Sequence, residues 1–451
     1  MRDLIAVAAL GSLLSAVANA AVTQEEADRL GNELTPVGAQ MAGDKALGIP
    51  AWDGGLQEVP RSYKGAGTRY TDPFPDDRPE FTITADNLDQ YRDKLTVGQI
   101  ALFERFPETY VMPVYKTRRS FANPQFIYDA TKTNAVNAKL SGGGDTVTGA
   151  VTGIPFPIPK NGHEVIWNHK TRYRDFSVRR WNNQAAVTST GSYNLVKLRE
   201  DVTFRYSQPG IGPRDLDNVL LYFLQVTTQP PRLAGQILLV HETMDQLREP
   251  RAAWLYNPGQ RRLRRAPNVA YDNPGTGSDG LRTNDQTDTF NGAMDRYDWK
   301  LIGKTEIYTP YNSYKIHSDD YSYDDIIQRG HIDQDLTRYE LHRVWVVDAT
   351  LKAGTSHIYK RRTFYVDEDS WQIVAVDIYD KRDELWRVQE SHSAMAYDVP
   401  YMGPILESVY DLLANRYLVQ AMNNEDDETY SIDVDWETYF NPSNVKKLAR
   451  R

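Results

Sequence analysis

The chain has 451 residues, a formal net charge of −9 and no cysteine. The acidic balance argues against a nucleic-acid partner, whose phosphates need a basic footprint, and the lack of cysteine excludes disulfides, thiol catalysis, cysteine-ligated zinc and a lipidated-cysteine anchor. The 28 tyrosines and 9 tryptophans present flat apolar faces with polar tips, which suit ligand clefts as well as a β core.

Arg2 is followed by an uncharged apolar stretch from Leu4 to Val17 and then by Ala18-Asn19-Ala20, the layout of an export signal cleaved after Ala20. The apolar run is about 14 residues, short of the roughly 20 that cross a bilayer, so the expected product is a free periplasmic protein. Residues 21–159 are rich in Gly, Pro and Asp and read as a long N-terminal arm. Short helices are expected from the Thr84-Ala85-Asp86-Asn87 start, over 96–106 and over 121–140. Ser141-Gly142-Gly143-Gly144 then acts as a linker, and residues 154–159 form a proline-stiffened strap. An arm with so little core must pack on the following sheet or on a partner.

Residues 160–451 open with an expected helix over 162–174 and continue as strands. Over 196–206, Val196, Leu198, Val202, Phe204 and Tyr206 share one face, while Lys197, Arg199, Asp201, Thr203 and Arg205 form a wet one. Further strands are expected over 219–226, 236–240, 252–256, 261–265, 338–351, 357–366, 371–379 and 385–397, with Asn257-Pro258-Gly259 turning one hairpin. Consecutive strands without βαβ alternation imply an antiparallel meander that must curl and be covered. Asn423 to Glu428 reads as a solvated acidic turn.

Motifs for chemistry are missing. There is no Gly-x-Ser-x-Gly, Gly142 to Gly144 lack the Gly-Lys-Ser/Thr of a phosphate loop, and the eight histidines contain no His-x-x-x-His pair. The acidic groups at Asp319-Asp320 with Asp324-Asp325 and at Asp367-Glu368-Asp369 lack the EF-hand pattern and read as a helix start and a hairpin turn. Paired carboxylates for glycoside cleavage leave no linear signature, so that chemistry stays open. No catalytic residue, metal or cofactor is assigned.

Two basic features remain. Arg261-Arg262-Leu263-Arg264-Arg265 suits an anionic headgroup, or an edge strand kept from aggregating by charge. Arg343 shares a strand face with Leu341, Trp345 and Val347, so it needs a partner there. Glu200 is the candidate, and Arg343 would hold either the covering element or a ligand's polar end.

Several stretches resemble the domain-of-unknown-function 1329 family: Leu34-Thr35-Pro36-Val37-Gly38-Ala39, Ile49 to Leu56, Ile166-Trp167-Asn168-His169, Arg264-Arg265-Ala266-Pro267, Phe290-Asn291-Gly292 through Lys300, Tyr339 to Val347 and Tyr365 to Trp371. That family is similar to the outer-membrane lipoprotein-sorting carriers, in the pattern Trp254-x-Tyr256-x-Pro258 followed by arginines and in the Val366-Asp367 to Trp371 turn. The resemblance implies an incomplete β-barrel, apolar on its concave side and closed by helices, that carries acyl chains. It also implies a link to envelope export, with an inner-membrane exporter or another envelope protein as partner. The arm over 21–159 has no counterpart in the much smaller sorting carriers.

The expected fold is therefore α+β: a large curved antiparallel sheet covered by helices, over 160–451, preceded by the arm and by a signal peptide over 1–20. The expected function is non-catalytic binding or carriage of a lipid or hydrophobic small molecule. Leu198, Phe204, Phe223, Leu239, Trp254, Tyr256, Arg343, Trp345, Phe364, Trp371 and Trp386 are the expected lining. The alternative is an accessory that binds an envelope export complex through its arm and tyrosine-rich surface.

Overall fold

In the computed structural model the described residues are 22–266 and 269–450; the expected signal peptide and its cleavage site lie outside them. The alternating segments form one antiparallel meander within a 17-stranded sheet. It runs from an edge strand Arg262–Arg265 through Ala252–Asn257, Ile237–Thr243, Val219–Gln229 and Tyr193–Thr203 to the bent pair Ser177–Trp181 and Asn183–Val187. It continues through Arg416–Met422, Tyr401–Asp411, Leu385–Ala396, Ile373–Tyr379, Arg361–Asp367 and Tyr339–Leu351 to Tyr297–Pro310. The two outer strands do not pair with each other among the described residues, so the sheet stays open. Register shifts at Leu301/Gly303, Tyr365/Val366 and His392/Ser393 add the local twist that curls it.

Both faces are covered by the chain itself. On the concave side, the helix Gly162–Thr171 starts where the Asn161 side chain accepts from the Glu164 amide. It packs Val165, Ile166 and Trp167 with Phe121, Ile154 and Phe156 of the arm against Trp299, Phe364, Trp371 and Val376. Asn168 clamps the strap, accepting from the Phe156 amide at 2.9 Å and donating to the Phe156 carbonyl at 2.7 Å. On the convex side, the helix Val97–Arg105 and the strands Phe81–Ile83 and Met112–Val114 bury Leu102, Phe103 and Tyr110 against Val388, Leu406 and Tyr417. Farther along that side, the C-terminal helix Pro442–Leu448 and Phe440 cover Leu224, Ile237, Leu239 and Tyr256.

Several local expectations change. The helix expected over 121–140 spans Gln125–Asn137, because Pro124 stands at its N-cap and cannot continue it backwards. The glycine run is the tip of a small hairpin between Lys139–Ser141 and Thr146–Thr148, where Gly142 and Gly143 take φ of 60° and 72°. After Thr84 there are two short 3-10 turns, Leu88–Gln90 and Arg92–Lys94, in place of the expected helix. The wet face of strand Tyr193–Thr203 is partly closed: Asp201 accepts from the Tyr439 hydroxyl at 2.6 Å, and the Thr203 and Ser177 hydroxyls lie 2.7 Å apart. The acidic turn at 423–428 is not simply solvated, since Asn423, Asn424 and Glu428 are buried and Glu428 accepts from His317 at 2.7 Å and Arg69 at 3.2 Å. Among the described residues no helix is long and apolar enough to cross a membrane.

Candidate functional site

Helix Gly162–Thr171 and arm residues 121–156 plug the concave face beneath strands Tyr297–Pro310 to Ile373–Tyr379. Under the other half of the sheet, cross-strand register lines up Val202 with Phe223, Phe223 with Val240, and Gln225 with Leu238. Period-two alternation points this row to the concave side. With Phe204 and Leu221 it walls a cavity of about 700 Å³, mouth included, whose remaining lining comes from Arg174, Arg180, Arg251 and the segment 269–296. None of residues 121–156 and 162–171 lines this space. A second space of about 740 Å³, open solvent at its mouth included, adjoins it across Arg174, Arg180, Val202 and Phe204, and is bounded by Tyr70, Trp181, Met395, Tyr401 and Ile405.

The polar wall is made of ion pairs. Asp288 accepts from Arg172 at 2.5 Å and from Arg174, and these guanidiniums hold its carboxyl well below the usual range despite burial. Burial pushes Arg174 down to about 9. Glu200 accepts from Arg180 at 2.8 Å, Asn182 at 3.0 Å and Gln225 at 2.8 Å. Glu242 pairs with Arg251. Glu407 accepts from Gln420 at 2.6 Å, and burial raises it to about 7. Among the described residues Arg282 meets only the Thr287 hydroxyl at 3.3 Å and the Thr283 carbonyl at 3.5 Å. The space thus joins an apolar row to neutral polar groups and several charged ones, where the sequence led to an apolar lining with Arg343 as its one charge.

Of the expected lining, Phe204 and Phe223 stand on this wall. Leu198 is fully buried farther along the strand of Val202. Leu239, Trp254 and Tyr256 lie on the opposite face, beneath the C-terminal helices. Phe364 and Trp371 are fully buried in the plugged half, Trp345 stacks on Trp371 with ring centres 6.3 Å apart, and Trp386 donates to Asp411 at 3.0 Å. Sequence reasoning missed Leu221, Leu238, Val240, Arg174, Arg180, Arg282 and Asp288. For Leu238 and Val240 the alternation was visible but its sign was not.

Arg343 does not pair with Glu200, which belongs to the other half of the sheet. It donates to Glu368 at 3.0 Å and to the Ala42 carbonyl of the arm at 2.8 Å. The turn that follows its neighbouring strand carries a buried charge cluster rather than a plain hairpin. His342 lies 3.3 Å from both Glu340 and Asp367, which raise it to about 9, and its ring stacks on Tyr311 with centres 4.0 Å apart. His342, Asp367 and Asp369 offer atoms within 4.8 Å of one another, a spacing compatible with a cation. Arg119, Arg343, Lys304 and His342 already neutralise these acids, so the group reads as an ion-pair lock.

These features define an open, curled antiparallel sheet, plugged over one half by its own leading segment and hollow under the other. A family model described as "Protein of unknown function (DUF1329)" matches residues 82–446, and the chain belongs to that family. It is 54% identical over 441 residues to the uncharacterized protein PA3922 of Pseudomonas aeruginosa PAO1, covering 98% of this chain and 97% of that one. Among solved structures it is similar to a DUF1329 protein from Desulfovibrio piger, at 16% identity and a TM-score of 0.43, over 63% of this chain and 97% of that one. A putative outer membrane lipoprotein-sorting protein domain from Vibrio parahaemolyticus matches at 12% identity and a TM-score of 0.42, over 63% and 97%. The LolA superfamily protein NE2245 from Nitrosomonas europaea matches at 13% and 0.38, over 63% and 99%.

Proposed function

We propose that this chain is a periplasmic binding or carrier protein for a hydrophobic molecule, held in the cavity walled by Val202, Phe204, Leu221, Phe223, Leu238 and Val240. The observation that carries the reading is a space open at its mouth beside Phe223, Leu238 and Val240 that no residue of helix Gly162–Thr171 or of arm residues 121–156 lines, although Val202, Phe204 and Leu221 on its rim belong to the same core cluster as that helix and arm. Burial at about 25 cal/mol per Å² of apolar surface supplies the affinity. The export-like start of the sequence supports the periplasm as the site of action. In this reading the cargo lies against the part of the sheet formed by strands Tyr193–Thr203, Val219–Gln229 and Ile237–Thr243.

Uptake of the apolar dye 1-N-phenylnaphthylamine tests the reading. Saturable fluorescence enhancement is expected for the wild type and a loss of it for Leu238→Trp, whose indole projects into the space against Phe223 and Val240 and takes the place of the dye's ring. Enhancement that never saturates, or that is equal in both proteins, overturns it.

A further inference from the structure

Burying a guanidinium without a carboxylate is costly, so proteins pair or neutralise such groups. The cavity obeys this rule with one exception among the described residues. Arg174 has Asp288, Arg180 has Glu200 and Arg251 has Glu242. Arg282, 5% exposed, has no carboxylate within 4.0 Å, and its Nε has no hydrogen-bond partner, among the described residues. Glu407, which shares the wall with it, is engaged by Gln420 instead.

The position of Arg282 is fixed by its own turn. The Gly275 amide donates to the Arg282 carbonyl at 3.1 Å, and the side chain crosses Gly275 so closely that a Cβ there would lie 2.7 Å from the guanidinium carbon. The guanidinium is therefore held against the wall, in a space whose other side is the row Phe223, Leu238 and Val240. A planar donor fork facing an apolar trough matches a molecule with a small anionic head and a hydrocarbon body.

We propose that Arg282 binds the anionic head of an amphipathic ligand, a carboxylate or phosphate carried on an alkyl chain, while the chain lies along Phe223, Leu238 and Val240. This rests on the cavity being the binding site, as proposed above. Val202, Phe204 and Leu221 extend the apolar side, and Gln225 and Thr287 supply neutral polar groups beside the head.

Calorimetric titration of the whole protein with four twelve-carbon probes tests it: dodecanoate, dodecyl phosphate, dodecanol and dodecyltrimethylammonium. The wild type is expected to bind at least one anion about ten-fold or more tighter than dodecanol, the size of a charge-assisted hydrogen bond, and to bind the ammonium more weakly than that anion. Whichever of dodecanoate and dodecyl phosphate binds tighter identifies the head. Arg282→Gln is expected to lose the preference, keep its affinity for dodecanol and melt no lower than the wild type, because an unpaired charge is gone. Dodecanol binding with no anion preference in the wild type, or a preference that survives in Arg282→Gln, overturns the head-group assignment and leaves the cavity reading standing. An ammonium bound as tightly as the better anion also overturns it, on wild-type protein alone. Failure of every probe to bind removes the cavity reading and this assignment with it.

Discussion

Arg119 of the leading arm and Asp369 of a sheet turn are joined by two hydrogen bonds, of 2.9 and 2.7 Å, with both side chains 2% exposed. The same guanidinium donates to the carbonyls of Gln40 at 2.8 Å, Met41 at 3.2 Å and Pro50 at 3.2 Å, so one side chain gathers three arm positions onto the turn. Arg343 repeats the arrangement one residue earlier in the turn, through Glu368 and Ala42. The plug is therefore fastened by charge as well as by packing.

Breaking this fastening leaves a buried charge alone. Arg119→Ala is expected to lower stability by about 3–5 kcal/mol in urea unfolding, and Asp369→Asn by a comparable amount. Replacing both by apolar residues, Arg119→Met with Asp369→Leu, is expected to recover part of the loss, since no charge then stays unpaired. It recovers only part, because the arm carbonyls also lose their donor. A double variant no better than Arg119→Ala would show that the carbonyl contacts dominate.

The convex cover is anchored differently. The helix Val97–Arg105 presents its first turn to Asp377, which accepts from the Gly98 amide at 2.9 Å and the Thr96 hydroxyl at 3.2 Å. A Cβ on Gly98 would stand 2.3 Å from that carboxylate and 2.7 Å from Val388. Gly98→Ala is expected to cost about 1–3 kcal/mol and to speed proteolysis near this helix. Dye uptake should persist, because the helix covers the face away from the cavity. Loss of uptake in a folded Gly98→Ala protein would contradict the separation of the two faces.

Two buried histidines should give opposite pH signatures. His392 has no protein partner on either ring nitrogen among the described residues, and burial lowers it from 6.5 to about 3. Its folded form resists a proton that the unfolded chain accepts, so its contribution is intact above about pH 6.5 and is lost as pH falls below that. Relative to His392→Gln, the wild type should lose about 2 kcal/mol between pH 7.5 and 5. His342 has the reverse shift, raised to about 9 by Asp367 and Glu340. Its stabilisation is complete below about pH 6.5 and is lost as pH rises through about 9, so the wild type should converge on His342→Gln in alkaline buffer. Parallel pH curves for wild type and either variant would contradict the assigned protonation states.

The sheet was legible because its signal is local. Arg343, Trp345 and Val347 alternate with Val344 and Val346, and the structure sends the two sets to opposite faces, into the core around Trp371 and into the cluster of Ile307 and Tyr365. Which face holds the hollow was not legible. Leu238 and Val240 face it, while Ile237 and Leu239 face the C-terminal helix, yet both rows are apolar, so the sequence does not tell them apart. The segment 269–296 carries no periodicity, since it docks through individual polar contacts such as Asp285 with Arg362 at 2.9 Å and with His357 at 3.1 Å. Arg282 is one of its residues, and its isolation from carboxylates depends on neighbours from distant strands. The strands Ser177–Trp181, Asn183–Val187, Tyr297–Pro310, Tyr401–Asp411 and Arg416–Met422 were missed; in Tyr297–Pro310 the charged side chains and the bulge at Gly303 break the alternation.

Native mass spectrometry tests the central claim most directly. Wild-type and Leu238→Trp proteins would be incubated with a total lipid extract of a bacterial envelope and sprayed from volatile buffer. The account expects a one-to-one adduct on the wild type, releasing an amphiphile on activation, and bare protein for Leu238→Trp. No adduct on the wild type, or the same adduct on both proteins, would contradict it.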